Sequence, residues 1–133
     1  MCGATHQARA GSLPASETMR HDEETLQIAC VRWFGYQYPK LSPLLHHSPN
    51  GGYRNKREAA RFKAMGTRAG FPDLFLSVPN KSHHGLYIEM KSSDGRQSDS
   101  QRIFQSYAQN FGYRYEICRS VEEFVAAVTG YLG

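Results

Sequence analysis

The chain has 133 residues, of which 40% are hydrophobic, 12% aromatic and 21% charged. That is the composition of a globular protein and excludes wholesale disorder, and the length suits one domain around one core. Sixteen Lys and Arg against twelve Asp and Glu give a net charge of +4, which disfavours acidic, solvating roles.

No apolar run approaches the ~18 residues of a membrane-spanning helix, and the N-terminus has no apolar secretory segment. Cys2, Cys30 and Cys118 form neither a zinc pattern nor a disulfide framework. These features point to a cytoplasmic protein with reduced thiols and no membrane partner, or one in the host cell interior if phage-encoded.

Residues 1–16 are mainly Gly, Ala, Ser, Thr and Pro and are predicted as a flexible arm, leaving 17–133 as the domain. A first helix is expected to start between Ser16 and Asp22, to present Leu26, Ala29, Cys30, Trp33 and Phe34 on one face, and to stop at Pro39. Leu44 to His47 reads as a short strand and Pro49-Asn50-Gly51-Gly52 as a turn. A basic helix runs from Lys56 to about Met65, with Gly66 as its stop. Asp73 to Val78 is nearly continuous apolar sequence after Asp73, as in a strand buried on both faces. Leu86 to Lys91 alternates with period two. Ser98 or Asp99 caps a third helix with Phe104, Tyr107, Ala108 and Phe111 inward, and Gly112 ends it. Tyr113 to Cys118 is a strand, and Ser120 caps a last helix with Val121, Phe124, Val125, Val128 and Leu132 on one side. The order α-β-α-β-β-α-β-α describes an α/β domain, a small mixed sheet flanked by helices.

Pro72 cannot donate a ladder hydrogen bond, so Asp73 opens its strand. Glu89 and Lys91 are two apart and share a strand face, with Ile88 and Met90 on the other. A hairpin between the two strands brings Asp73 near Glu89. Two converging carboxylates make a hard-oxygen site suited to Mg²⁺ or Mn²⁺, and an ammonium beside them can orient water and offset phosphate charge. A lone Glu-x-Lys is commonly a solvated ion pair; the conjunction with Asp73 is what points to phosphodiester hydrolysis. Glu23 shares a helix face with Gln27, and Gln101 precedes the apolar face of the third helix by one turn.

From Arg54 to Arg68 the chain carries Arg54, Lys56, Arg57, Arg61, Lys63 and Arg68 against Glu58 alone. A cationic stripe of this kind suits a phosphate backbone. Arg96, Arg102, Arg114 and Arg119 are candidates to extend it, and Tyr36, Tyr38 and Tyr53 to stack on unpaired bases. Of the histidines, His46 and His47 flank the turn at Asn50; either is a candidate to approach the site there, but a surface role is the better reading.

Taken together, Glu23-Glu24-Thr25-Leu26-Gln27, Ser48-Pro49-Asn50-Gly51-Gly52, Gly66 to Leu74 (GTRAGFPDL), Ile88 to Lys91 (IEMK), Gly95 and Ser98 to Gln101 (SDSQ) resemble the VRR-NUC family of the PD-(D/E)xK nuclease superfamily. The resemblance covers about residues 22–132 and leaves only the N-terminal arm unplaced. It implies a restriction-endonuclease-like core and a divalent-metal-dependent nuclease. It further implies that Asp73, Glu89 and the Met90 backbone carbonyl hold the metal, with Glu23 a further acid; Glu24 leaves that register open by one. Lys91 then orients the attacking water, Gln101 stands near the site, and Asn50 and the basic stripe face DNA. The chain is similar to stand-alone phage and bacterial members, which implies a homodimer acting on branched DNA, Holliday junctions included. A non-catalytic nucleic-acid-binding module with the same fold, or an RNA-directed nuclease, are the competing expectations.

Overall fold

The computed structural model describes residues 15–49 and 55–133, with side chains from His21 onward. Helix α1 spans Ala15–Gln37, followed by a 3-10 turn at Ser42–Leu44 and strand β1 at Leu45–His47. Helix α2 is Lys56–Ala64, β2 is Leu74–Leu76, β3 is Leu86–Met90, α3 is Asp99–Asn110, β4 is Arg114–Cys118 and α4 is Val121–Leu132. Apart from the 3-10 turn, this is the predicted order.

The sheet runs β1-β2-β3-β4, with β1/β2 and β2/β3 antiparallel and β3/β4 parallel. A parallel pair needs a crossover, and α3 supplies it. Alternation sorts the side chains to two faces. Leu74, Leu76, Leu86, Ile88, Met90 and Cys118 point to one, where Cys30 and Phe34 of α1 and Phe124, Val128 and Tyr131 of α4 complete the main core. Burial pushes the Cys30 thiol up to about 11 and the Cys118 thiol up to about 12.

The other face is aromatic and lies under α3. Tyr87 stacks on Phe75 with ring centroids 4.5 Å apart, and Phe104 meets Phe71 at 4.9 Å and Tyr87 at 5.1 Å. Glu89 projects from this face, two residues beyond Tyr87, so α3 closes over it.

Several expectations change. The arm expected over 1–16 lies outside the described residues except Ala15 and Ser16, which open α1. Leu44 belongs to the 3-10 turn rather than to β1, and β2 is only three residues long, with Asp73 before it and Val78 beyond it. In β3 every residue but Tyr87 is buried, because helices cover both faces and the half-exposed alternation is lost. On α3 the face toward the sheet is Phe104 and Ala108. Tyr107 and Phe111 fall on the neighbouring row with Ile103 and are exposed. Tyr131, absent from the expected face of α4, is buried, and its hydroxyl donates to Val78 O at 2.6 Å.

Candidate active site

The site is assembled at the end of the sheet where β3 meets the entrance of β2. Antiparallel pairing sets Leu74 opposite Ile88. Continued one residue, the same register sets Asp73 opposite Glu89. The Asp73 Oδ2 accepts a hydrogen bond from Met90 N at 2.7 Å, so this carboxylate is fastened to the neighbouring strand. Burial is the main influence on Asp73 and raises its pKa; the Met90 hydrogen bond pulls it back, and the Glu89 charge raises it further.

Glu89 is completely buried. Its Oε1 accepts from the Tyr115 hydroxyl and from Gln97 Nε2, the latter at 3.1 Å. Its Oε2 is buried with no hydrogen-bond donor among the described residues, and lies 3.7 Å from Lys91 Nζ. Burial and the bond to Glu89 hold the Tyr115 phenol far above its ordinary range, so it stays a donor. The Lys91 side chain is only 12% exposed, which strengthens its field at the carboxylate. The Glu-x-Lys pair is therefore no solvated surface pair.

Glu23 reaches the same place from α1. Its Oε2 accepts from the backbone N–H of Ser92 at 3.4 Å, the residue that directly follows Lys91. Burial raises the Glu23 pKa, opposed by the Ser92 hydrogen bond and by Lys91, with Asp73 and Glu89 raising it again. The neighbouring Glu24 is exposed, whereas Glu23 is half-buried. Close packing depends on Gly95, where a Cβ would sit 3.3 Å from Glu23 Oε2 and 3.4 Å from Lys91 Cδ. Arg119 ties down this loop by donating to Ser92 O at 2.9 Å and Gly95 O at 2.6 Å.

Gln101 caps its own helix. Its Oε1 accepts from Ser98 N at 2.7 Å while Ser98 Oγ accepts from Gln101 N at 3.2 Å, a capping box that closes the start of α3. The glutamine that touches Glu89 is Gln97. His47, expected as a bystander, has Nδ1 2.9 Å from Asp73 O and 2.9 Å from Gln27 Nε2.

Hard carboxylate oxygens with a lone pair to spare suit Mg²⁺ or Mn²⁺, which retain several waters. Among the described residues no group of three or more His, Cys, Asp and Glu forms a ready side-chain cage. The carboxylates brought together here are Asp73 and Glu89, with Glu23 within reach of the same loop.

Helix α2 is capped by Asn55, whose side chain accepts from Glu58 N at 2.8 Å, and has no buried residue. Lys56, Arg57, Arg61, Lys63 and Arg68 are all exposed. Asn50 and Arg54 lie outside the described residues, as does Tyr53. Of the candidates to extend the stripe, Arg102 pairs with Asp99 and Arg114 with Glu116 at the surface, while Arg119 donates to the loop carbonyls. Arg96 remains exposed. Tyr36 is 82% exposed, whereas Tyr38 packs against Phe34 at 5.2 Å and Trp33 at 5.9 Å.

A family model described as the VRR-NUC domain matches residues 21–122. The chain belongs to the VRR-NUC family. A solved structure described as a VRR_NUC domain protein is similar over 83% of this chain and 87% of that one, at 27% identity and a TM-score of 0.72. No curated protein matches the sequence. The VRR-NUC domain is a nuclease-type module, so a nucleic acid is its partner, and no helix among the described residues is long and apolar enough to cross a membrane.

Proposed function

We propose that this VRR-NUC protein is a Mg²⁺- or Mn²⁺-dependent endonuclease that hydrolyses phosphodiester bonds in structured DNA, four-way junctions in particular. The observation that carries the reading is the buried Glu89 carboxylate. One of its oxygens is unsatisfied, and Asp73 and Lys91 stand beside it. A buried acceptor without a donor is costly unless a cation or substrate completes it.

Asp73, Glu89 and the Met90 carbonyl would hold the cation, and Glu23 would add negative charge behind them. When bound, a divalent cation supplies Lewis-acid polarisation of the phosphate and acidifies water. Lys91 orients the attacking water and offsets charge on the phosphate as it gains a fifth oxygen. The Gln101 amide oxygen accepts from Ser98 N, and its Nε2 is the group with which it would act near the site, as the family resemblance implies. The cations of α2, with Arg54 and Asn50 outside the described residues, would grip the backbone of the substrate.

The homodimer and the preference for branched DNA are supported by the resemblance to stand-alone members. A two-fold dimer would present two sites to a junction of matching symmetry. In this reading residues 17–133 act as one nuclease domain in the cytoplasm of the cell or of a phage host.

Digestion of a panel of single-stranded, duplex, flap and four-way-junction DNA, with Mg²⁺ or with EDTA, tests this. Junction cleavage that EDTA abolishes is expected, with a two-chain mass in sedimentation. Binding without cleavage under any metal would make the protein a non-catalytic module. Cleavage confined to RNA would move it to the RNA-directed class.

A further inference from the structure

Glu89 is held asymmetrically. Both neutral donors at its carboxylate, the Tyr115 hydroxyl and Gln97 Nε2, converge on Oε1. Oε2 receives no hydrogen bond and faces the Lys91 ammonium at 3.7 Å. The arrangement is itself fixed by its surroundings. Gln97 Nε2 also donates to Gln105 Oε1 at 2.9 Å, so both of its amide protons are used. Flipping that amide would turn its carbonyl toward two acceptors. Tyr115 is 6% exposed, and its ring lies 6.4 Å from that of Phe104, inside the aromatic layer beneath α3.

The terminal torsion of a glutamate is broad and nearly two-fold, so a free Glu89 would present either oxygen. We propose that Tyr115 and Gln97 are positioning residues that saturate Oε1, lock the carboxylate plane, and leave Oε2 as the oxygen presented to a divalent cation. The inference rests on the metal-dependent reading above. Neither residue touches the phosphate. Each acts through Glu89, as partners behind a ligating carboxylate do, where loss typically costs about 10–100-fold in metal affinity. A ligand ordered beforehand loses less freedom when the cation arrives.

The test is calorimetric titration of Mn²⁺ into wild type, Tyr115→Phe, Gln97→Met and the double variant, each first melted in EDTA. Tyr115→Phe keeps the ring in its layer and removes one hydroxyl; Gln97→Met keeps the length and removes the amide. Each single variant is expected to bind Mn²⁺ roughly tenfold more weakly, and the double about 100-fold. The Mg²⁺ concentration for half-maximal cleavage should rise by the same factors, with the rate recovering at saturating Mg²⁺. A purely structural role would lower the rate at every metal concentration and leave Mn²⁺ affinity alone, which overturns the inference. Wild type that binds Mn²⁺ while the variants bind equally well overturns this inference and spares the metal reading. Wild type that binds no Mn²⁺ removes both. Should Tyr115→Phe not fold in EDTA, Gln97→Met decides by the same criteria.

Discussion

Asp73 and Met90 are joined across two strands by a 2.7 Å hydrogen bond from the backbone N–H of Met90 to Oδ2 of Asp73. This bond does what a ladder hydrogen bond would have done one residue past the end of β2. It holds a carboxylate at the mouth of the hairpin and commits one of its oxygens to the protein. Glu89 shows the same division, with one oxygen occupied by donors and the other left open.

Isosteric substitutions separate chemistry from folding here. Asp73→Asn retains an oxygen that can accept from Met90, and Glu89→Gln retains the volume of the buried group. Each is expected to lower nucleic-acid cleavage by roughly 10²–10⁴-fold while nucleic-acid binding persists. Lys91→Met should cost about 10²–10³-fold. Glu23→Gln, one step removed, should cost about tenfold. Single-turnover cleavage with a parallel binding assay measures these, and full activity of Lys91→Met would refute its assigned role.

Helix α2 should contribute binding and its salt dependence. Each phosphate contact contributes about 0.9 to the slope of log affinity against log salt on duplex DNA. Replacing Arg57 and Arg61 by Ala should therefore flatten the slope by up to about 1.8 and weaken binding. The catalytic rate at saturating substrate should stay near wild type. A slope equal to that of wild type would remove the helix from the interface.

Gly70 and Gly66 form a matched pair of tests for the loop that carries Asp73. Both have positive φ, 82° and 110°, but only Gly70 is crowded: a Cβ there would lie 2.5 Å from the backbone C and O of Ser100. Gly66→Ala meets open space and should cost about 1 kcal/mol in backbone strain. Gly70→Ala adds an overlap with the start of α3 and should cost about 2–4 kcal/mol in urea melts. Equal losses would mean that the loop does not bear on α3.

The buried thiols set an alkaline limit. Cys30 and Cys118 are raised from 9.0 to about 11 and about 12 in the folded chain. Between the unfolded and folded values the unfolded state holds fewer protons, so stability falls as pH rises. It is fully present below about pH 9 and declines above it. Melting temperature should be flat from pH 7 to 8.5 and fall from pH 9 upward, and Cys118→Ala should soften that fall. Iodoacetamide at pH 8 should leave both thiols unmodified until denaturant is added. Ready labelling in the native state would contradict their burial.

The element order was legible because caps, breakers and apolar periods agree along most of the chain. Ser98, Ser120 and Gly66 each stand at the helix end their chemistry favours. What failed was the distinction between adjacent rows. Phe104 and Ala108 lie one helical position from Ile103, Tyr107 and Phe111, and both rows have four-residue spacing, so only the sheet decides which turns inward. The same limit hid the glutamine that holds Glu89. Ser98-Asp99-Ser100-Gln101 is a capping-box sequence, a local signal that assigns Gln101 to the helix start. Gln97 carries no such signal, because its contact with Glu89 depends on how the loop crosses the sheet. Tyr115 was hidden for a related reason: it stands beside Glu89 only through the parallel register of β3 and β4, which no spacing within either strand encodes. His47 is brought to Asp73 by the pairing of β1 with β2.

Helix α2 has no buried residue, while Glu89 is completely buried and Asp73 and Glu23 are partly buried. Mutations along that helix can therefore accumulate with little effect on stability, whereas changes around Glu89 disturb packing and chemistry at once. Affinity for one nucleic-acid shape over another can drift quickly on such a scaffold, and the reaction itself is obliged to stay as it is.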